Sequence, residues 1–181
     1  MKLKASRMEA LVDGIFAIVM TIMIVSLSEV FSFSNPAKNG DFCKLFSVLS
    51  EDFIAFMASF LILGILWFEH HWQFHFIKYI DPVLVSINIV WLMFLCLIPF
   101  STMLLGNHPY FSVPAILFEF NVLIVFLLLY IHWAYAIHKG RLIEITLNKK
   151  SSVKHMGTCL IPIIITLIAI IWSLLNSFLK E

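Results

Sequence analysis

The sequence predicts an all-α fold, a polytopic integral membrane protein with about five transmembrane helices. Three observations predict it. Hydrophobic residues fill 61% of the 181 positions and charged residues only 13%. A mean hydropathy of +0.99 is too high for an ordinary soluble domain, which could not hide so much apolar surface from water. The apolar residues also gather into five runs of about 20, the length at which a helix crosses the hydrocarbon core of a bilayer.

Taken in order, the first span is expected from about Ala10 to Phe31. The preceding MKLKASR resembles the start of a signal peptide, and Ser26 and Ser28 mimic a small-residue cleavage site. Asp13 and the continuation of the run to about Phe33 argue instead for a retained span. A polar connection from Ser32 to Asp52 carries the turn signals Asn35-Pro36 and Asn39-Gly40. The second span runs from about Phe53 to Trp72, and a short loop holding Lys78 and Asp81 leads to the third, from about Pro82 to Leu105. Pro82 suits a helix start, where its missing N–H is not needed, and Pro99 is expected to kink the far end.

Beyond Gly106-Asn107-His108-Pro109, Ser112 offers an N-cap and Pro114 a first-turn proline for a fourth span ending near Ile137. A basic connection from His138 to His155 includes the segment Arg141 to Leu147, apolar enough to lie along the membrane surface but too short to cross it. The last span covers about Met156 to Leu179 and is interrupted by Pro162. No internal repeat or low-complexity linker divides the chain, so residues 1–181 read as one transmembrane domain.

Lys2, Lys4, Arg7, Lys78, Lys139, Arg141, Lys149, Lys150 and Lys154 fall on the N-terminal side of these spans, against Lys38, Lys44 and Lys180 on the other. Positive loops stay in the cytoplasm, so the N-terminus is expected there, with the cell membrane as the location. A net charge of +1, with no basic stripe among aromatics, argues against a nucleic-acid partner. Cys43, Cys96 and Cys159 lack CxxC spacing and read as small hydrophobes rather than a disulfide framework.

The first span draws attention because Arg7, Glu9 and Asp13 stand at its mouth, where an ionised group is costly unless paired or wet. At about 100° per residue, Gly14, Ile18, Thr21, Ile22, Val25 and Ser28 share one narrow face, and Asp13 lies roughly 140° from Ile18. Thr21 alone in such a helix is most simply read as bonding back to its own backbone, and the isoleucine stripe as packing.

The second span ends in the densest polar and aromatic cluster, Trp67-Phe-Glu69-His70-His71-Trp72-Gln-Phe74-His75. His71 and His75 have the i, i+4 spacing of a metal-binding pair. Trp67 stands where an HxxHH box needs a histidine, and His108, His132, His138 and His155 form no second box. The expectation is therefore no catalytic metal and no cofactor. No GxSxG, P-loop or dinucleotide fingerprint occurs, so no enzyme is expected. Asn88 reads as an interhelix hydrogen-bonding residue, and Glu119 as a carboxylate either inside the membrane or at headgroup level.

Arg7-x-x-x-Leu11-Val12-Asp13-Gly14-x-Phe16-Ala17-Ile18-x-x-Thr21, Trp67-x-x-His70-His71-x-x-Phe74, and Asn88 with Leu97-Ile98-Pro99-Phe100-Ser101-Thr102 together resemble the endolysosomal and bacterial potassium-channel family that lacks the TVGYG filter. Leu11 and Val12 replace the Phe and Ser of that family's Arg-x-x-x-Phe-Ser-Asp signature, and its bacterial members usually have six spans. The resemblance covers roughly residues 7 to 106 and implies a homotetramer whose first helices line a central pore. It places Ile18 at an apolar constriction, Thr21 at a hydroxyl layer, and Ile22 and Val25 at the following pore positions. Arg7 and Asp13 would anchor this helix to spans two and three through Trp67, His71 and Asn88, with His70 in the same motif.

The expected function is passive, potassium-selective or weakly selective cation conduction, with potassium as the permeant ion and membrane lipid as the other partner. A proton-coupled secondary transporter using Asp13, Glu119 or histidines is the competing class, though no paired inverted repeat is visible. A membrane metalloenzyme is a third class, and a non-conducting membrane scaffold is the residual one.

Overall fold

The computed structural model describes the backbone of residues 3–33, 42–108, 111–140, 142–143 and 149–179. Within these it describes the side chains of 5–25, 52–108, 111–140, 142–143 and 155–179. Six helices account for nearly all of it: α1 (Ser6–Phe33), α2 (Phe42–Phe76), α3 (Pro82–Leu95), α4 (Ile98–Asn107), α5 (Ser112–Lys139) and α6 (Lys149–Leu179). They supply five candidate membrane spans, because α3 and α4 together form one, Pro82–Asn107. Two short strands, β1 (Leu3–Lys4) and β2 (Tyr79–Ile80), pair antiparallel and tie the start of the chain to the α2–α3 connection. The expected loop around Lys78 thus holds a strand, Tyr79–Ile80.

The third span is broken rather than kinked. Pro99 has no N–H to give to Leu95, and its ring crowds that carbonyl, so the α-helical ladder cannot run through. Cys96 N–H still reaches Leu92 O, but Leu97 N–H turns back to Phe94 O, a tightened last turn, before Ser101 N–H resumes with Leu97 O. Pro99 then sits in the first turn of α4, where a proline is tolerated.

Other boundaries also move. The helix of the second span begins at Phe42, well inside the expected polar connection, and the turn signals at 35–36 and 39–40 lie outside the described residues. Helix α5 is capped at Phe111 without a side-chain hydrogen bond, so Ser112 is its first residue and not its N-cap. Pro162 does not interrupt α6, which runs through it. Of the proposed surface segment, Leu142 is buried and Ile143 bridges Ile77, while the flanking residues are outside the described set.

Two apolar clusters hold the helices together. The larger joins Val12, Phe16, Val19 and Met23 of α1 to Leu63 and Leu66 of α2, Trp91 and Leu95 of α3, and Val125 and Leu129 of α5. The smaller closes the end where the chain starts, around Met8, Phe74, Ile77, Leu84 and Trp133. In lipid, apolar contact alone barely favours helix association, so buried polar pairs add specificity. Thr102 Oγ1 donates to Ser59 Oγ at 2.8 Å, Trp91 Nε1 to Val125 O at 3.1 Å, and Tyr135 Oη to Asp81 Oδ2 at 2.8 Å. The other oxygen of Asp81 caps α3 by accepting from Leu84 N–H at 2.9 Å. Facing outward, α6 presents Ile161, Ile164, Ile168, Ile171, Trp172 and Leu175, an apolar surface of the kind a bilayer covers.

Candidate functional site

Helix α1 has two apolar faces with different fates. Val12, Phe16, Val19 and Met23 recur at spacings of four, three and four, which puts them on one stripe, and all are buried against the bundle. The other stripe is left uncovered within the chain: Ile18 is 58% exposed, Ile22 47% and Val25 57%, with Gly14 and Thr21 also exposed. Thr21 Oγ1 donates to Ala17 O at 3.0 Å and Ile18 O at 2.8 Å, so its proton bonds back to its own helix. The side chain of Ser28 lies outside the described set.

At the base of α1, the second helix supplies the polar partners. Successive residues on a helix diverge by about 100°, so His70 and His71 face different neighbours. Trp67 and His71, four apart, stack at 5.4 Å and face α1. There Trp67 Nε1 donates to Asp13 Oδ1 at 2.8 Å, and His71 Nδ1 lies 3.4 Å from Glu9 Oε1. His70 turns inward instead, fully buried between Trp91 at 4.7 Å and Phe74 at 4.4 Å, with Nε2 3.0 Å from Asn88 Oδ1. An amide oxygen only accepts, so His70 carries its proton on Nε2 in this pair.

The structure thus brings Asp13 to Trp67 and His70 to Asn88, in two separate contacts rather than one network. Arg7 is exposed, and no hydrogen bond or ion pair ties it to another described residue. Glu9, not Arg7 or Asp13, meets His71. His75 lies beside Phe76 in an edge contact at 5.0 Å.

The sequence reading missed Gln73 and His132, which complete the buried side of this layer. His132 Nδ1 and Gln73 Oε1 are 2.9 Å apart, Gln73 Nε2 donates to Leu129 O, and His132 stacks on Phe74 at 5.4 Å and His70 at 5.7 Å. A signal existed for both. Gln73 is three residues after His70 and so shares its face, and a histidine in the middle of an apolar span needs a partner. Elsewhere, Glu119 accepts a hydrogen bond from Ser173 Oγ at 2.9 Å, which links α5 to α6.

Residues 7–99 match the family described as endosomal/lysosomal potassium channel TMEM175. A potassium channel of Streptomyces collinus is 30% identical over 105 residues, which cover 58% of this chain and 49% of that protein. The endosomal/lysosomal proton channel TMEM175 of Gallus gallus is 32% identical over 104 residues, 55% of this chain and 21% of that one. The chain spans about half the length of the bacterial relative and less of the animal one. Among solved structures, a lysosomal potassium-selective channel TMEM175 homolog from Chamaesiphon minutus superposes with a TM-score of 0.65 over 94% of this chain and 90% of that one, at 23% identity, which shows a shared fold. The match over residues 7–99 takes in the first two spans and α3 with their Asp13–Trp67 and His70–Asn88 contacts, and by it the chain belongs to the TMEM175 channel family.

Proposed function

We propose that the protein is a passive cation channel of the cell membrane, potassium-selective or weakly selective, in which four copies place their first helices around a central pore. The observation that carries this reading is the uncovered stripe of α1. A helix packed against its own bundle through Val12, Phe16, Val19 and Met23 turns Ile18, Thr21, Ile22 and Val25 away from it. Four such stripes facing one axis make an apolar constriction at Ile18 that gates by narrowing or dewetting. Thr21 fits a cation-contacting layer, because its hydroxyl proton is engaged by Ala17 O and Ile18 O and its lone pairs remain for an ion or water.

In this reading the Asp13–Trp67 and Glu9–His71 contacts hold the base of the pore helix at a set angle. His70 and Asn88 fix α2 to α3 behind it. The chain acts as one transmembrane domain with its N-terminus in the cytoplasm, in keeping with the excess of Lys and Arg on that side. The names of the relatives, potassium channels in bacteria, support potassium as the permeant ion. Proton passage is a second reading, favoured by the proton-channel name of the animal relatives.

Flux through the purified protein in liposomes, with potassium, sodium and proton gradients imposed separately, tests these readings. Passive flux that prefers potassium and rises in Ile18→Asn is the expected result. Unchanged flux in a folded Ile18→Asn variant removes Ile18 from the gate, and flux of protons alone selects the second reading.

A further inference from the structure

We propose that Glu69 of α2 and His155 and Cys159 of α6 form a binding site for a divalent transition-metal ion, best matched to zinc, which staples the last helix to the second. The three residues lie apart from the Asp13 and His70 contacts, and the inference does not rest on the channel reading.

The sequence places His155 and Cys159 four residues apart, on one face of α6. Helix packing then brings Glu69 between them. His155 Nε2 is 3.1 Å from Glu69 Oε2, Cys159 Sγ donates to the same oxygen at 3.9 Å, and the ligand atoms of all three lie within 4.8 Å of one another. Ligands on a tetrahedral zinc stand roughly 3.3–3.8 Å apart, so the widest gap closes by up to about 1 Å on binding, within the reach of side-chain rotation.

The histidine carries the most telling detail. His155 Nε2 is buried and close to the carboxylate, yet makes no hydrogen bond to it or to anything else among the described residues. Its ring is held by Trp72, stacked at 3.6 Å, and by the edge of Trp133 at 5.7 Å. A fixed imidazole whose buried nitrogen faces a carboxylate at 3.1 Å without an aligned hydrogen bond, beside a thiol, is a donor set shaped for a cation.

Charge and softness select the ion. A carboxylate and a thiolate carry two negative charges and the imidazole none, so a divalent cation leaves the cluster neutral, which matters in a membrane span. Nitrogen and sulfur donors favour zinc over magnesium or calcium. The metal takes the place of the Cys159 proton, which leaves to solvent on binding. Three protein ligands leave a fourth position for water or another donor.

Such a staple has a clear purpose in the fold. Helix α6 is the least buried span; it packs chiefly on α5 and meets α2 at few residues. The expected effect is structural and requires no catalysis.

The test uses the full chain, purified without a polyhistidine tag, stripped with a chelator and titrated with zinc chloride against a chromogenic indicator, then with cobalt(II). The expected result is about one metal per chain, a thiolate-to-cobalt charge-transfer band, and a zinc-dependent rise in melting temperature. Cys159→Ser should abolish the band and weaken zinc binding by at least about tenfold, the loss already typical of an outer-shell partner. Glu69→Gln, which keeps the side chain's size, should weaken zinc binding likewise and remove the zinc-dependent rise in melting temperature. This second variant keeps the test decisive if Cys159→Ser folds poorly. His75→Ala serves as the control and should bind as the parent does. No charge-transfer band, or binding unchanged in Glu69→Gln, overturns the proposal and leaves a plain His–carboxylate contact beside a passive thiol.

Discussion

Trp67 and Asp13 show how much one atom can decide. The indole has a single donor, and it points at a carboxylate 54 residues earlier in the chain, so the base of α1 is held by a directional contact rather than by packing alone. Both side chains remain partly exposed within the chain, which limits the energy involved. A double-mutant cycle of Asp13→Ala and Trp67→Phe, read by thermal unfolding in detergent, should give a coupling of about 1 kcal/mol. Strictly additive effects would show that the contact does not hold in solution. Asn88 is the inward counterpart. Asn88→Leu strips buried His70 Nε2 of its acceptor and should destabilise by about 1–3 kcal/mol, the cost of an unmet buried donor.

At the scale of the element, the break at Pro99 creates an interface that a continuous helix would lose. Redirecting the chain at Leu97 lets α4 set Ser101 and Thr102 against α5 and α2. Thr102 then donates to Ser59, and Asn121 to Ser101 at 3.3 Å. Interhelix hydrogen bonds of this kind contribute modestly in membranes, because the separated helices also find partners. Thr102→Val is therefore expected to cost about 0.6–1.7 kcal/mol, measured by unfolding in mixed micelles. A change above about 3 kcal/mol would mean that the α2–α4 seam depends on this pair far more than its chemistry allows.

For the whole molecule, the decisive contrast is between two apolar surfaces that look alike in one chain. Val25 on α1 is 57% exposed and Ile164 on α6 is 53% exposed, yet the proposed assembly puts water beside the first and lipid beside the second. Cysteines introduced singly at these positions, in a background with Cys43, Cys96 and Cys159 changed to serine, should differ in proteoliposomes. A membrane-impermeant charged thiol reagent should modify Val25→Cys and spare Ile164→Cys. Equal protection of both would place the α1 stripe in lipid or in a dry contact and remove the pore. The mass of the purified particle should correspond to four chains, and a smaller assembly would leave the four stripes without a common axis.

Sequence by itself determined the class of molecule, the five spans and the helix that carries the motif. Hydropathy and span length are properties of consecutive residues, and the bilayer admits few other solutions. It also brought out Asp13, Trp67, His70, His71 and Asn88, because polar groups in apolar runs are conspicuous. Which of them meet was settled only in three dimensions. Glu9 takes His71, Asp13 takes Trp67 and Asn88 takes His70, since each pairing depends on the rotation of one helix against another. The same holds for Gln73 with His132 and for Glu69 with His155 and Cys159, residues 59, 86 and 90 positions apart. Local spacing fixes which side chains share a face; helix packing alone decides what that face meets.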